Sequence, residues 1–139
     1  MFHIIQANQS HLDEIMNIIK ILTLDSLLIH EHQFCVAVVE NKVIGIGRVK
    51  TINGIKELCT LGVLDEYRNK GIGTDMVNFL KLKCHSPIYL VTDIPQYFSK
   101  LGFIETQDFP KEMHHKQKLC LHELQCHNPK VMIYHRLDK

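Results

Sequence analysis

Arg68, Gly71 and Gly73 are spaced Arg-x-x-Gly-x-Gly, with Lys70 among them, and follow a mostly apolar run over residues 55–64. That run reads as a strand buried on both faces. Beyond the glycines, Met76, Val77, Phe79 and Leu80 recur at helical spacing. The order is therefore strand, basic glycine-containing loop, helix. It suits an anion, because the first amides of a helix have no intrahelical acceptor and the helix dipole adds positive potential. Glycine lets a ligand come close to the backbone, and Arg68 and Lys70 favour a charged ligand over a neutral one. Arg68, Asn69, Lys70, Gly71, Ile72, Gly73 and Thr74 together read as a diphosphate cradle.

Two competing phosphate motifs fail on spelling. GxxxxGK[ST] is absent, and a dinucleotide fingerprint needs three glycines opening a βαβ unit, where two are present at another spacing. Preceded by Leu61-Gly62-Val63 and followed by a helix, Tyr67-Arg68-Asn69-Lys70-Gly71-Ile72-Gly73 resembles the acetyl-CoA-binding motif of the GNAT superfamily of N-acyltransferases. The resemblance implies that loop amides hold the CoA pyrophosphate and that Leu61 and Val63 lie along the pantetheine arm. A second signature of that family is similar to Gln96-Tyr97-Phe98-Ser99-Lys100-Leu101-Gly102-Phe103, a short helix ending at glycine before a strand. Gly102 is also what a helix C-terminus asks for by itself.

Transfer of an acetyl group from a thioester to an amine needs a neutral nucleophile and a thiolate that can leave. Alkyl amines are mostly protonated at neutral pH, so a base must take a proton. Glu57 stands where the resemblance places that base, and apolar sequence neighbours would raise its pKa. The other reading is a strand-end glutamate in a salt bridge or facing water. The resemblance also implies a tyrosine that protonates the thiolate, but its position here is Phe98. Tyr97, one residue earlier, points about 100° away on a helix. The Tyr-Phe pair resembles the branch containing the acetyltransferase domain of N-acetylglutamate synthases. Cys59 and Cys120 are conceivable acyl carriers, although direct transfer is simpler. Lys116 and Lys118 could meet a substrate carboxylate or be solvated loop charges.

The elements that must position these residues follow from pattern. Residues 2–6 suit a first strand, and Ser10 with Asp13 resembles a cap for a helix carrying Leu12, Ile15, Met16, Ile19 and Leu22 on one face. Residues 34–39 and 42–49 form a hairpin about Glu40-Asn41, and Asn53-Gly54 turns into the strand bearing Glu57. Gly45 and Gly47 lie inside a strand pattern, where close packing explains them. Residues 88–92, after a helix, should run parallel to the cradle strand. Residues 131–137 make a closing strand. Residues 23–33 and 108–128 carry little pattern, and the first of these could be a substrate-facing segment or a plain connector.

Composition sets the bounds. A chain of 139 residues with 45% hydrophobic and 22% charged residues reads as one soluble domain spanning 1–139. Sixteen basic against fifteen acidic residues give +1, with no clustered basic surface for nucleic acid. No run is long enough to span a membrane and residues 1–3 do not resemble a signal peptide, so the expected setting is the cytoplasm. Five cysteines, Cys35, Cys59, Cys84, Cys120 and Cys126, read as free thiols. His114, His115, His122 and His127 fit no zinc spacing, so no metal is expected.

The expected fold is therefore α/β of the α+β kind: a GNAT-like, mostly antiparallel central sheet flanked by helices, with one parallel strand pair splayed around acetyl-CoA. The expected function is acetyl-CoA-dependent N-acetylation of a small-molecule primary amine, an amino acid or related metabolite, with a homodimer compatible. The alternatives are a non-catalytic CoA-binding module and acetylation of a protein amine.

Overall fold

The computed structural model describes residues 1–136. Seven strands hydrogen-bond in the order β1-β2-β3-β4-β5-β7-β6, numbered along the chain, to form a mixed, mostly antiparallel sheet with helices around it. The chain divides into two compact units, Met1–Val49 with Cys59–Lys83, and Lys50–Leu58 with the residues from Cys84 onward.

In the first unit β1 (His3–Gln6) leads to α1 (Leu12–Leu22), β2 (Phe34–Val39), β3 (Lys42–Ile52) as far as Val49, the end of β4 (Ile55–Val63) and α2 (Ile72–Lys83). The hairpin between β2 and β3 turns on Glu40 and Asn41, both with positive φ, and Asn53 and Gly54, of the second unit, do the same between β3 and β4. Two such residues match the twist of the strands they join. Ile15, Ile18 and Ile19 of α1 pack into a core with Phe34, Val36, Val43 and Ile46. Met16, expected on that face, is exposed, and Ile18 takes its place. The cap also differs from expectation: Asn8 accepts from the Ser10 amide at 2.9 Å, and a short 3-10 turn over Gln9–His11 precedes the helix. Gly45 and Gly47 answer to packing. A Cβ on Gly47 would lie 2.9 Å from Leu61 Cδ1, and one on Gly45 would lie 3.1 Å from Met76 Cε.

In the second unit β5 (Ile88–Thr92) is followed by α3 (Pro95–Ser99), β6 (Ile104–Glu105), α4 (Lys111–His122) and β7 (Lys130–Tyr134). β5 runs parallel to β4, as expected, and their ladder consists of Lys56↔Ile88 and Glu57↔Tyr89. β7 lies antiparallel between β5 and β6. The closing strand is thus shorter than the expected 131–137, and Leu137 lies outside the described residues. Phe98 is buried and edge-on to Phe103 at 5.9 Å between ring centroids, and Phe103 meets Tyr134 at 5.5 Å. Residues 108–128, which showed little pattern, hold the whole of α4. Residues 23–33 form an irregular connection closed by a 3-10 turn over Glu31–Gln33.

Candidate active site

The cradle belongs to the first unit. A 3-10 turn over Asp65–Tyr67 leaves β4, and Arg68 Nε donates to Val63 O at 3.0 Å while its Nη2 lies 3.3 Å from Asp65 Oδ1. Arg68 thus ties the loop to the strand end. Asn69 and Gly71 have φ of 64° and 81°, and Gly71 O accepts from the Asp75 amide at 3.0 Å, which places Gly71 at the start of α2. The helix begins at Ile72, two residues before the expected Thr74, so Gly73 sits in its first turn rather than in the loop. A Cβ on Gly71 would meet nothing within 4 Å, so space for a ligand is open there. Asn69 and Lys70 are exposed, whereas Leu61, Val63, Gly73 and Thr74 are half-buried. The Ile72 side chain is buried in the core, so only its backbone can face a ligand. These first-turn amides and the flanking cations can hold a diphosphate.

Glu57 belongs to the second unit, where its side chain is almost wholly buried. The expected apolar surround is replaced by charge. Lys116 Nζ lies 2.6 Å from Oε2 and Lys50 Nζ lies 3.8 Å from Oε1, and both ammonium groups are buried too. Oε2 accepts no hydrogen bond, so the Lys116 ammonium balances it as an ion pair. Such pairing is what makes a buried carboxylate tolerable. Lys116 reads from the sequence either as a partner for a substrate carboxylate or as a solvated loop charge. It stands instead on α4 between Met113 and Cys120, the other two buried residues of that helix, at helical spacings of three and four. That stripe was the available signal, but a lysine at its centre conceals it. Lys118 is exposed.

Tyr97 is half-buried on α3, with its ring edge-on to Phe98 at 4.9 Å. Phe98, which stands where the resemblance puts the tyrosine, is buried. Cys120 is a poor acyl carrier. Burial, then a hydrogen bond with the Cys126 thiol, pushes its pKa up to about 12. Its thiol therefore stays protonated and weakly nucleophilic near neutral pH. Cys59 is buried, in keeping with a core role.

Residues 30–105 match the family model described as an acetyltransferase (GNAT) domain, more than half of the chain. The chain belongs to the GNAT acetyltransferase family. Comparison with curated protein sequences gave no significant match.

Solved structures similar to this GNAT chain share its fold at low identity. N-acetylglutamate synthase from Neisseria gonorrhoeae, complexed with coenzyme A and N-acetyl-glutamate, is 18% identical with a TM-score of 0.78, over 98% of this chain and 36% of that one. The chain thus spans about a third of that synthase. Rv2747 from Mycobacterium tuberculosis, in complex with CoA and NLQ, is 17% identical with a TM-score of 0.76, over 97% of this chain and 99% of that one. Arabidopsis thaliana Naa50, bound to the bisubstrate analogue CoA-Ac-MVNAL, is 17% identical with a TM-score of 0.68, over 97% and 99%. Among the described residues, no helix is long and apolar enough to cross a membrane.

Proposed function

We propose that residues 1–139 work as a single N-acetyltransferase domain that moves acetyl from acetyl-CoA directly to the primary amine of a small molecule, an amino acid or related metabolite. The observation that carries the reading is the ammonium of Lys116 held 2.6 Å from a buried Glu57 carboxylate. A group that binds one alkylammonium there is equipped to bind another and take its proton. In this reading the amide groups of residues 71–74 with Arg68, Asn69 and Lys70 hold the pyrophosphate, and Leu61 and Val63 of β4 flank the pantetheine arm. Glu57 takes a proton from the acceptor ammonium, the neutral nitrogen adds to the thioester carbonyl, and the C–S bond breaks. The departing thiolate, from a thiol of pKa about 8.5, needs little assistance. Phe98 at the core-facing position supplies no proton, and Tyr97 has at most a minor part. The five free cysteines suit the reducing cytoplasm.

Acceptance of a protein N-terminus is the second reading, favoured by the peptide analogue in the Naa50 complex. Thiol release from acetyl-CoA, measured with amino acids, polyamines and N-terminal peptides in parallel, separates the two. The proposal expects turnover with a small amine. Turnover with peptides alone would replace the acceptor class, and tight CoA binding with no acceptor would leave a non-catalytic module. Gly73→Val tests the cradle, because acetyl-CoA stabilises the folded chain by mass action and the valine should abolish most of that shift in melting temperature. An undiminished shift in folded Gly73→Val rejects the cradle. Gly71 is less suitable, since its φ of 81° strains any side chain.

A further inference from the structure

We propose that Lys116 is itself an acetyl acceptor, so that with acetyl-CoA bound and no other amine present the enzyme acetylates its own Lys116 Nζ. This rests on Glu57 being the base. An amine that Glu57 deprotonates must bring its nitrogen within about 2.6–3.2 Å of the carboxylate. Lys116 Nζ already lies at 2.6 Å from Oε2. Its side chain is 8% exposed and held by α4 between buried Met113 and Cys120, so the amine is not one of many mobile surface groups. An amine fixed in this way reacts within one molecule and avoids the entropic cost of encounter. Acetylation also leaves a sound local arrangement, because Lys50 at 3.8 Å from Oε1 remains as a cation for Glu57 after the other nitrogen has become a neutral amide.

The step balances. The Lys116 ammonium gives one proton to Glu57, and its lone pair forms the new C–N bond at the thioester carbon. The C–S bond breaks as the tetrahedral adduct collapses, and the second nitrogen proton passes to the CoA thiolate. Glu57 then returns its proton to solvent. The products are N-acetyl-Lys116, free CoA and one proton.

Chemical acetylation by acetyl-CoA in solution favours exposed lysines, and Lys118, two residues away and exposed, is an internal control. The experiment incubates the full chain, of unmodified starting mass, with acetyl-CoA alone and follows intact mass and peptide fragmentation with time. The expected result is one acetyl group on Lys116 ahead of Lys118, at a first-order rate independent of protein concentration. Glu57→Gln should slow it roughly 10²–10⁴-fold. Lys116→Arg keeps a cation at the carboxylate and should carry no acetyl at that position. Unmodified Lys116 in protein that acetylates a small amine overturns the inference and leaves the enzyme reading standing. Unmodified Lys116 in protein that neither binds acetyl-CoA nor releases thiol overturns both. Equal labelling of Lys116 and Lys118, unaffected by Glu57→Gln, overturns the inference as well.

Discussion

Arg48 and Glu57 are both buried charges, and they are held in opposite ways. The Arg48 guanidinium is saturated with fixed partners: Nε donates to Thr60 Oγ1 at 2.7 Å, Nη1 to Gln33 Oε1 at 2.9 Å and Leu28 O at 3.3 Å, and Nη2 to Leu27 O at 2.9 Å and Asp25 O at 3.3 Å. Asp25 Oδ1 adds an ion pair at 3.6 Å and the Phe34 ring lies 5.5 Å away. Three of the five hydrogen-bond acceptors are backbone carbonyls, which cannot leave. Holding them takes local strain, since Thr60 and Leu28 have φ of 52° and 56°, a region costly for side-chain-bearing residues and most of all for a β-branched one. Glu57 has instead the ammonium ends of two long side chains. A charge held largely by backbone carbonyls builds structure, whereas a charge balanced by side-chain ammonium groups can exchange one for a substrate's.

Four substitutions probe that contrast, in falling order of effect. Glu57→Gln should lower kcat/KM roughly 10²–10⁴-fold with acetyl-CoA affinity almost unchanged. Each tenfold of that is about 1.4 kcal/mol of barrier. Arg48→Met should do the reverse, costing about 3–5 kcal/mol of stability by stranding Asp25 while leaving the rate per folded molecule near that of the parent. Urea unfolding with parallel kinetics reads both, and a stable but inactive Arg48→Met protein would break the comparison. Tyr97→Phe should keep kcat within a few-fold, and a loss of a hundredfold with intact acetyl-CoA binding would make Tyr97 the acid.

The smallest effect concerns Cys120. Its folded pKa of about 12 lies above the ordinary 9.0 because of burial, then the Cys126 hydrogen bond, so the folded state keeps a proton that the unfolded chain releases. Stability from this group is complete below pH 9.0 and falls as pH rises from there towards 12. Cys120→Ala should flatten the alkaline fall in melting temperature, and an identical slope would contradict the assignment.

Motifs fixed by backbone geometry were legible in the sequence. Glu40-Asn41 and Asn53-Gly54 turn as their residue types require, Gly102 has the φ of 93° expected of a helix end, and the apolar run before Arg68 is a strand. The partners of Glu57 were not legible. Lys50 lies in a strand of otherwise mixed polarity and Lys116 in a helix rich in Lys and His, and hydropathy assigns both to solvent. Burial of a lysine depends on a carboxylate far away in sequence, 59 residues from Lys116 to Glu57, which no local period encodes. The same holds for Asp25, whose mixed segment reads as a substrate-facing stretch or a connector until Arg48 is placed beside it.

The central claim is that Glu57 serves chemistry and Arg48 serves the fold. Its most direct test is kcat/KM against pH for the parent and Glu57→Gln with one accepted amine, beside the melting temperature of each. A base at Glu57 predicts an acidic limb in the parent that is missing from Glu57→Gln, with a plateau per folded molecule lower by orders of magnitude, beyond the fall in melting temperature expected from leaving Lys50 and Lys116 without their carboxylate. Parallel profiles with similar plateaus, and a loss confined to stability, would contradict it.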